Sequence, residues 1–348
     1  MMKVTRSYKL KISEPNRAKL DTALYTYNRH LMYVNQWLGH LYFNGNKSFS
    51  TDGLGQLVNQ AQHKARGIIS AQTASKKETG NKTNVPEVKW MGCPAKLEKS
   101  KNSFDYWLKV SNQFTKGGVV RLPVKSHRCL NNALKTGWKL TSSCEFFVKN
   151  GKYYANVFVQ KEVAKAVPKS KSLGCDVGYK YSVSRSDEYI GKRTDKIIKE
   201  VKIKNSERQR QGHSRKVLKS RVKQILDFEA KQAVRRSKRL NSNLIIESPK
   251  VLNNLRSGKL QGWGRNYFGN RCAILAKESG VFFWTVNPAY TSQTCSKCGH
   301  VDKQSRVKQV FKCTSCGNTL HADVNAARNI ALKGTVSIEK YVKEPLAV

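Results

Sequence analysis

The stretch 291-TSQTCSKCGH-300, continued by 311-FKCTSCGNTLHADVNAARNIA-331, sets two CxxC pairs and an aspartate in one short segment. Cys295, Cys298, Cys313 and Cys316 follow the pattern C-x2-C-x14-C-x2-C, with Gly299 and Gly317 after the second and fourth cysteines. Each CxxC bends a short strand pair into a knuckle, and the glycine relieves the crowded turn past the second sulfur. Four thiolates complete a tetrahedral Zn2+ shell with no place left for water. A catalytic zinc needs that open place, so this zinc is expected to be structural. His300 or His321 could stand in for a cysteine, but full cysteine occupancy leaves no vacancy. The chemistry has to come from other residues.

Acids are scarce enough to inspect one by one. Asp176 follows a short apolar strand between Gly174 and Gly178, and taken alone it is a hairpin-turn aspartate. Glu247 closes the apolar run NLIIE before Pro249, and alone it is a strand-end carboxylate. Asp323 opens DVNAARNIALKG, where it could be the N-cap of a short helix finished by Gly334. Together the three read differently. An acid after a first strand, another ending a later strand and a third on a C-terminal helix is the arrangement of an RNase H-like fold, whose carboxylates converge at one sheet edge. Like charges that close need cations, and Mg2+ takes oxygen ligands of this type. Two such ions can activate water and stabilise the leaving oxygen of a phosphodiester. Asn325, one helical step on, is a weaker candidate for the same site.

Composition names the substrate class. The chain has 348 residues, with 65 Lys and Arg against 23 acids, a net charge of +42 and a pI near 10.1. Such a field calls for a polyanion, and without a basic amphipathic helix or lipidation signal the polyanion is nucleic acid rather than a membrane. No apolar run reaches the length of a membrane span, and the start MMKVTRSYKLKISEPNR lacks the apolar core of a signal peptide. Nine cysteines, five of them scattered at 93, 129, 144, 175 and 272, suit a reducing cytosol better than a disulfide framework.

The rest of the chain reads as several domains. Residues 3–10 suggest a strand, and a helix opening near Ser13 and Pro15 carries a stripe of Leu20, Leu24, Tyr27, Leu31, Val34, Leu38 and Leu41, ended by Asn44-Gly45. A weaker helix covers about 54–75, and the polar, Pro/Gly-punctuated 76–103 reads as a loop. Strand patterning follows in Phe104, Tyr106, Leu108 and Val110, in 119-VVRLPV-124, and around Asn150-Gly151, a strong hairpin signal. The basic segment 161–172 is a linker. Residues 192–239 hold 18 Lys/Arg against five acids, mostly on a helical pattern from about 206 to 240, which favours a phosphate-tracking surface. Strands at 243–247 and 281–286 and a helix through 265–279 precede the cysteines.

The order GCDVG, LIIES, NPAYTSQTCSKCG, a second CxxCG and HADVNAARNIA resembles the TnpB proteins of insertion sequences and the compact type V CRISPR effectors related to them. The match covers about 173–334; Ser248-Pro249 and Ala322 depart from the residues that family usually carries beside its acids. The resemblance implies a prokaryotic, cytoplasmic, RNA-guided DNA endonuclease with a RuvC-like site of Asp176, Glu247 and Asp323 holding two Mg2+, plus a structural Zn2+ on the four cysteines. It implies guide RNA and double-stranded DNA as partners, and leaves monomer or dimer open. The expected fold is an α+β multidomain chain. A wedge-like β-barrel (1–10 and 104–165) is interrupted by a helical recognition insert (11–103), and a RuvC-like nuclease domain (173–289 and 321–348) by a zinc ribbon (290–320). An RNA-guided repressor that binds without cutting, and a guide-independent transposase or resolvase, are the competing readings.

Overall fold

A computed structural model of the chain describes residues 1–45, 56–79, 88, 91–101, 105–111, 118–178, 180–212, 219–248 and 259–343. Two compact units emerge, one of Lys3–Glu162 and one of Val163–Val348 together with Met1–Met2. The expectations for Phe104 and Pro249 lie outside the described residues.

The first unit is an antiparallel sheet with helices. Strands β1 (Met2–Lys11), β2 (Cys93–Lys99), β3 (Tyr106–Ser111), β4 (Val119–Val124), β5 (Lys139–Lys149) and β6 (Lys152–Val163) lie in the order β1-β6-β5-β2-β3-β4. Ile12, just past β1, bridges to Val124 at the far edge, so the two edge strands meet there. Asn150 and Gly151 both take positive φ, 51° and 67°, as a tight hairpin between β5 and β6 requires. Helix α1 (Arg17–Asn44) is capped by Asn16 and ends at Gly45, φ 64°. It buries Tyr27, Val34, Leu38 and Leu41 of the expected stripe, and its Tyr33, Val34, Trp37, Leu38 and Leu41 cluster with Ala61 and Ala65 of α2 (Gln56–Thr79). A short helix, α3 (Arg128–Lys135), precedes β5.

One reading of this half changes. Residues 93–99, expected as loop at the end of the helical insert, form β2 in the middle of the sheet, paired with β3 and β5. Only Cys93 and Leu97 of CPAKLEK are buried, so the alternation that marks a strand is missing from its sequence.

The second unit has a four-stranded sheet in the order β10-β9-β7-β8, from β7 (Ser172–Asp176), β8 (Ser184–Arg185), β9 (Asn243–Glu247) and β10 (Phe283–Val286). β7, β9 and β10 are parallel, and β8 runs antiparallel to β7. Helices α4 (Asp195–Arg210), α5 (Lys219–Arg239) and α6 (Lys259–Ser279) come from the intervening segments. The single helix expected over about 206–240 is therefore two, with Gly212 at φ 73° just after the first. Leu173, Cys175, Leu244 and Ile246 pack one sheet face against α5 and α6 through Leu226, Val234, Phe268 and Cys272. The other face belongs to α7 (Ala322–Lys343), whose Ile330 and Ile338 cluster with Ile245 and Val286.

Helix α7 does not stop at Gly334, as its sequence suggested, but runs nine residues further, to Lys343. The glycine is there for contact. A Cβ on Gly334 would lie 2.6 Å from Cγ2 of Ile245, and one on Gly174 would lie 2.1 Å from the carbonyl oxygen of Ala327. Both glycines let α7 settle directly on the strands.

A third sheet, β11 (Arg306–Val307), β12 (Val310–Lys312) and β13 (Thr319–His321), belongs to the cysteine segment, and β13 leads straight into α7. Among the described residues no helix is long and apolar enough to cross a membrane.

Candidate active site and metal centre

Strand periodicity places the acids. On β7 and β9, Leu173, Cys175, Leu244 and Ile246 face α5 and α6, so Gly174 and Ile245 face α7, as their contacts show. Asp176 and Glu247, two residues further along each strand, share that second face. The strands are parallel with Gly174 opposite Ile245 and Cys175 opposite Ile246, which brings Asp176 level with Glu247 at their C-terminal ends. Asp323 lies in the first turn of α7, one turn before the Ala327 that touches Gly174. All three acids line one recess of about 430 Å³, together with Lys180, Arg265, Thr291, Arg306 and Gln309. Asp176 and Asp323 sit at its floor, 8% and 5% exposed.

The electrostatics are those of crowded, partly buried carboxylates. Burial first, then the charges of Glu247 and Asp323, push the Asp176 carboxyl up to about 7, against the pull of Arg265 and Arg306. Arg306, the first residue of β11, donates from Nη2 to Oδ1 of Asp323 at 2.7 Å. Thr291 Oγ1 lies 2.6 Å from Oε1 of Glu247 and donates to it. Arg265 Nε donates to the Val177 carbonyl at 3.3 Å, just past Asp176. Three oxygen-donor carboxylates in this setting fit hard divalent cations such as Mg2+.

The wall of the recess is a hairpin tied down by a buried acid. Glu229 of α5, 1% exposed, accepts from Ser182 Oγ at 2.9 Å and from the Tyr189 hydroxyl at 3.0 Å. Ser182 and Thr194 of this hairpin line the recess.

The cysteines form a separate centre. Sγ atoms of Cys295, Cys298, Cys313 and Cys316 all lie within 4.8 Å of one another. Cys295 to Cys316 is 3.8 Å and Cys298 to Cys313 is 3.6 Å. A tetrahedron with Zn–S bonds of about 2.3 Å has edges of about 3.8 Å, so the four sulfurs are spaced for zinc. Gly299 and Gly317 take φ 77° and 67°, and their N–H groups close the knuckles onto the carbonyls of Cys295 and Cys313. Neither His300 nor His321 joins the cluster: His300 is exposed, and His321 packs edge-on against Tyr181 at 5.6 Å.

Asn325 lies outside the residues that line the recess. It is fully buried and fastens the knuckle, accepting from Ser296 N at 3.0 Å and donating to the Thr294 carbonyl at 2.8 Å. Asn329, one turn on, donates to the carbonyls of Thr291 and Thr294 at 2.9 and 2.6 Å. Sequence reasoning missed Arg306, Arg265 and Thr291. Their partners lie 17, 88 and 44 residues away in the chain, and only the fold joins them.

A second recess, of about 400 Å³, collects basic residues from α5 and the β8 turn. Asp187 accepts from Arg185 Nε at 3.0 Å and from Arg236 Nε at 2.7 Å, while Arg235 and Arg239 line the same recess, exposed and one helical turn apart.

The chain is similar to several known proteins. Residues 266–330 match the family model described as Cas12f1-like, TNB domain. The chain is 40% identical over 88 residues to the CRISPR-associated endodeoxyribonuclease Cas12f1 of Sulfoacidibacillus thermotolerans, covering 25% of this chain and 20% of that protein. It is 30% identical over 220 residues to the putative RNA-guided DNA endonuclease InsQ of Escherichia coli K12, covering 53% and 54%. A TnpB-like protein of Aquifex aeolicus is 39% identical over 74 residues, 20% of this chain and 24% of that protein. The chain thus spans about half or less of these curated relatives. Its fold superposes on the protein of a Cas12f1–sgRNA–target DNA complex with a TM-score of 0.65, at 16% identity over 94% of this chain and 99% of that one. This mixed α/β multidomain chain, with its four-cysteine cluster, is thus similar in sequence to TnpB-like and Cas12f1 proteins and in fold to Cas12f1, the resemblance its motifs suggested.

Proposed function

We propose that the chain is an RNA-guided, Mg2+-dependent DNA endonuclease whose cutting site is the RuvC-like triad Asp176, Glu247 and Asp323. The observation that carries this reading is the convergence of the three acids, from two register-matched parallel strands and one helix, in a single recess. The relatives named as RNA-guided or CRISPR-associated endonucleases support it.

The three carboxylates would hold the cations. Two Mg2+ ions held there would supply an activated water and stabilise the leaving oxygen of the phosphodiester. The chain's own groups do the rest. Arg306 and Arg265 offer positive charge toward a phosphate and temper the repulsion among the acids. Thr291 orients Glu247, and Glu229 holds the hairpin that walls the recess. Asn325 and Asn329 fix the cysteine knuckle to α7, so the zinc ribbon (290–320) and the third acid move as one piece. That coupling gives the ribbon a role in loading target DNA. The remaining domains follow the same reading: a wedge-like barrel from 1–10 and 104–165, joined by β2, a helical insert between β1 and β2, and a RuvC-like domain from 173–289 and 321–348.

The test is to purify the chain from cells carrying its native locus, sequence the bound RNA, and challenge it with matching and non-matching duplex DNA. A discrete bound RNA and Mg2+-dependent cleavage of the matching duplex alone are expected. Cleavage indifferent to the RNA would overturn the guided reading in favour of a guide-independent recombinase.

A further inference from the structure

Tyr290 carries a backbone conformation that a tyrosine has no folding reason to adopt. Its φ is 62°, in the left-handed region where asparagine and glycine are at home and a bulky side chain is strained. Among the described residues no aromatic or hydrogen-bonding partner holds its ring, and the residue is 63% exposed. The backbone is nonetheless held hard: the Tyr290 carbonyl accepts from Gln293 N at 3.1 Å, Thr294 N at 3.0 Å and Thr294 Oγ1 at 2.8 Å. On the other side Ala289 N donates to Asn287 Oδ1 at 2.9 Å, and Lys333 Nζ donates to the Ala289 carbonyl. The turn is thus locked at both ends while it pushes an aromatic ring into solvent.

The place matters as much as the strain. Pro288, Thr291 and Ser292, which flank Tyr290, line the carboxylate recess, and Thr291 donates to Glu247. Tyr290 itself lies outside the lining residues, in the same turn, so its exposed ring is carried next to the pocket whose floor holds Asp176 and Asp323. Acids so deeply recessed are reached by a strand that has left its duplex, because the scissile phosphate must enter between the walls. A strand without its complement exposes base faces, and an aromatic side chain is the group that takes them, with little regard to base identity.

We propose that Tyr290 is a stacking platform for a base of the single-stranded nucleic acid presented to the carboxylate recess. The inference rests on the nuclease reading for the identity of the strand, yet its test is independent of hydrolysis. The ring holds one nucleotide beside the site, and the rigid turn fixes that nucleotide relative to Glu247 through Thr291.

The experiment is photocrosslinking of the full zinc-loaded chain, with no added Mg2+ so that no strand is cut, to single-stranded DNA substituted with 5-iodouracil at successive positions. A crosslinked peptide containing Tyr290 is expected, retained in Tyr290→Phe and in Asp176→Ala and lost in Tyr290→Asn. Asparagine suits the left-handed turn, so Tyr290→Asn should melt no lower than the parent while binding the oligonucleotide about tenfold more weakly at a fixed, moderate salt concentration. Crosslinks that map elsewhere with full yield in Tyr290→Asn would overturn the proposal. So would a large drop in melting temperature for Tyr290→Asn, since it would show that the ring supports the fold. A Tyr290 crosslink in a chain that never hydrolyses DNA would keep the stacking platform and remove the nuclease reading, so the two fail separately.

Discussion

Arg306 Nη2 lies 2.7 Å from Oδ1 of Asp323, joining the first residue of the ribbon's three-stranded sheet to the acid at the start of α7. The same carboxylate oxygen would serve a divalent cation, so the arginine and the metal compete for it. Replacing Arg306 with alanine should tighten Mg2+ binding to the nucleic-acid-free protein by about three- to tenfold, because a competing cation is gone. Cleavage should nonetheless fall by about tenfold or more, because a positive charge beside the phosphate is lost. Calorimetric Mg2+ titration together with single-turnover rates checks both halves.

Asp176 is maintained at a cost. It is buried beside Glu247 and Asp323, and its carboxyl is pushed up to about 7 from the ordinary 3.8. Asp176→Asn removes that repulsion and should raise the melting temperature of the Mg2+-free chain by a few degrees while abolishing hydrolysis. Differential scanning calorimetry without added Mg2+ or chelator, the zinc in place, measures the first effect.

The pH dependence follows with a definite sign. A carboxyl whose folded value is raised contributes stability that is complete below the unfolded value and is lost as pH rises through the folded one. The Mg2+-free chain should therefore lose stability between about pH 4 and pH 7, with a shallower slope in Asp176→Asn. Mg2+ must displace the same proton, so the gain in melting temperature from added Mg2+ should grow from pH 6 to pH 8. A gain that shrinks over that interval would contradict the site.

These residues also show how far the sequence alone could reach. The cysteine spacing, the glycines that follow it and the order of the three acids were legible because each is local or rests on a motif. β2 was not, since only Cys93 and Leu97 of its residues are buried and the rest of CPAKLEK looks like surface. Gly334 misled for a related reason: a glycine that ends a helix and one that lets a helix touch Ile245 look alike in a string. Asn325 sits two residues from Asp323 but turns to the knuckle, a choice fixed by the backbone groups of Thr294 and Ser296 brought there by the fold.

Zinc should matter to folding rather than to bond cleavage. Cys313→Ser, or prolonged treatment with a strong chelator, should lower the ribbon's thermal stability and expose the start of α7 to hydrogen exchange, because Asn325 and Asn329 lose the turn they clamp. Exchange mass spectrometry across 290–330 reads this directly.

The basic recess predicts a salt dependence. Arg235 and Arg239 line it from one face of α5. Changing both to glutamate should reduce the magnitude of the slope of log K against log salt for nucleic-acid binding by about two, the signature of two lost phosphate contacts. An unchanged slope would remove this surface from the interface.

Asp323 stands ten residues after Cys313, in the same segment as the proposed zinc ligands, so its replacement separates the two metal sites. The most direct measurement is the Mg2+-dependent rate at which RNA-loaded Asp323→Asn cleaves matched duplex DNA, relative to the parent protein. The prediction is a loss of at least about a thousandfold, with the full zinc content and bound RNA retained. A variant that keeps its zinc and still cuts near the parental rate would contradict the carboxylate site.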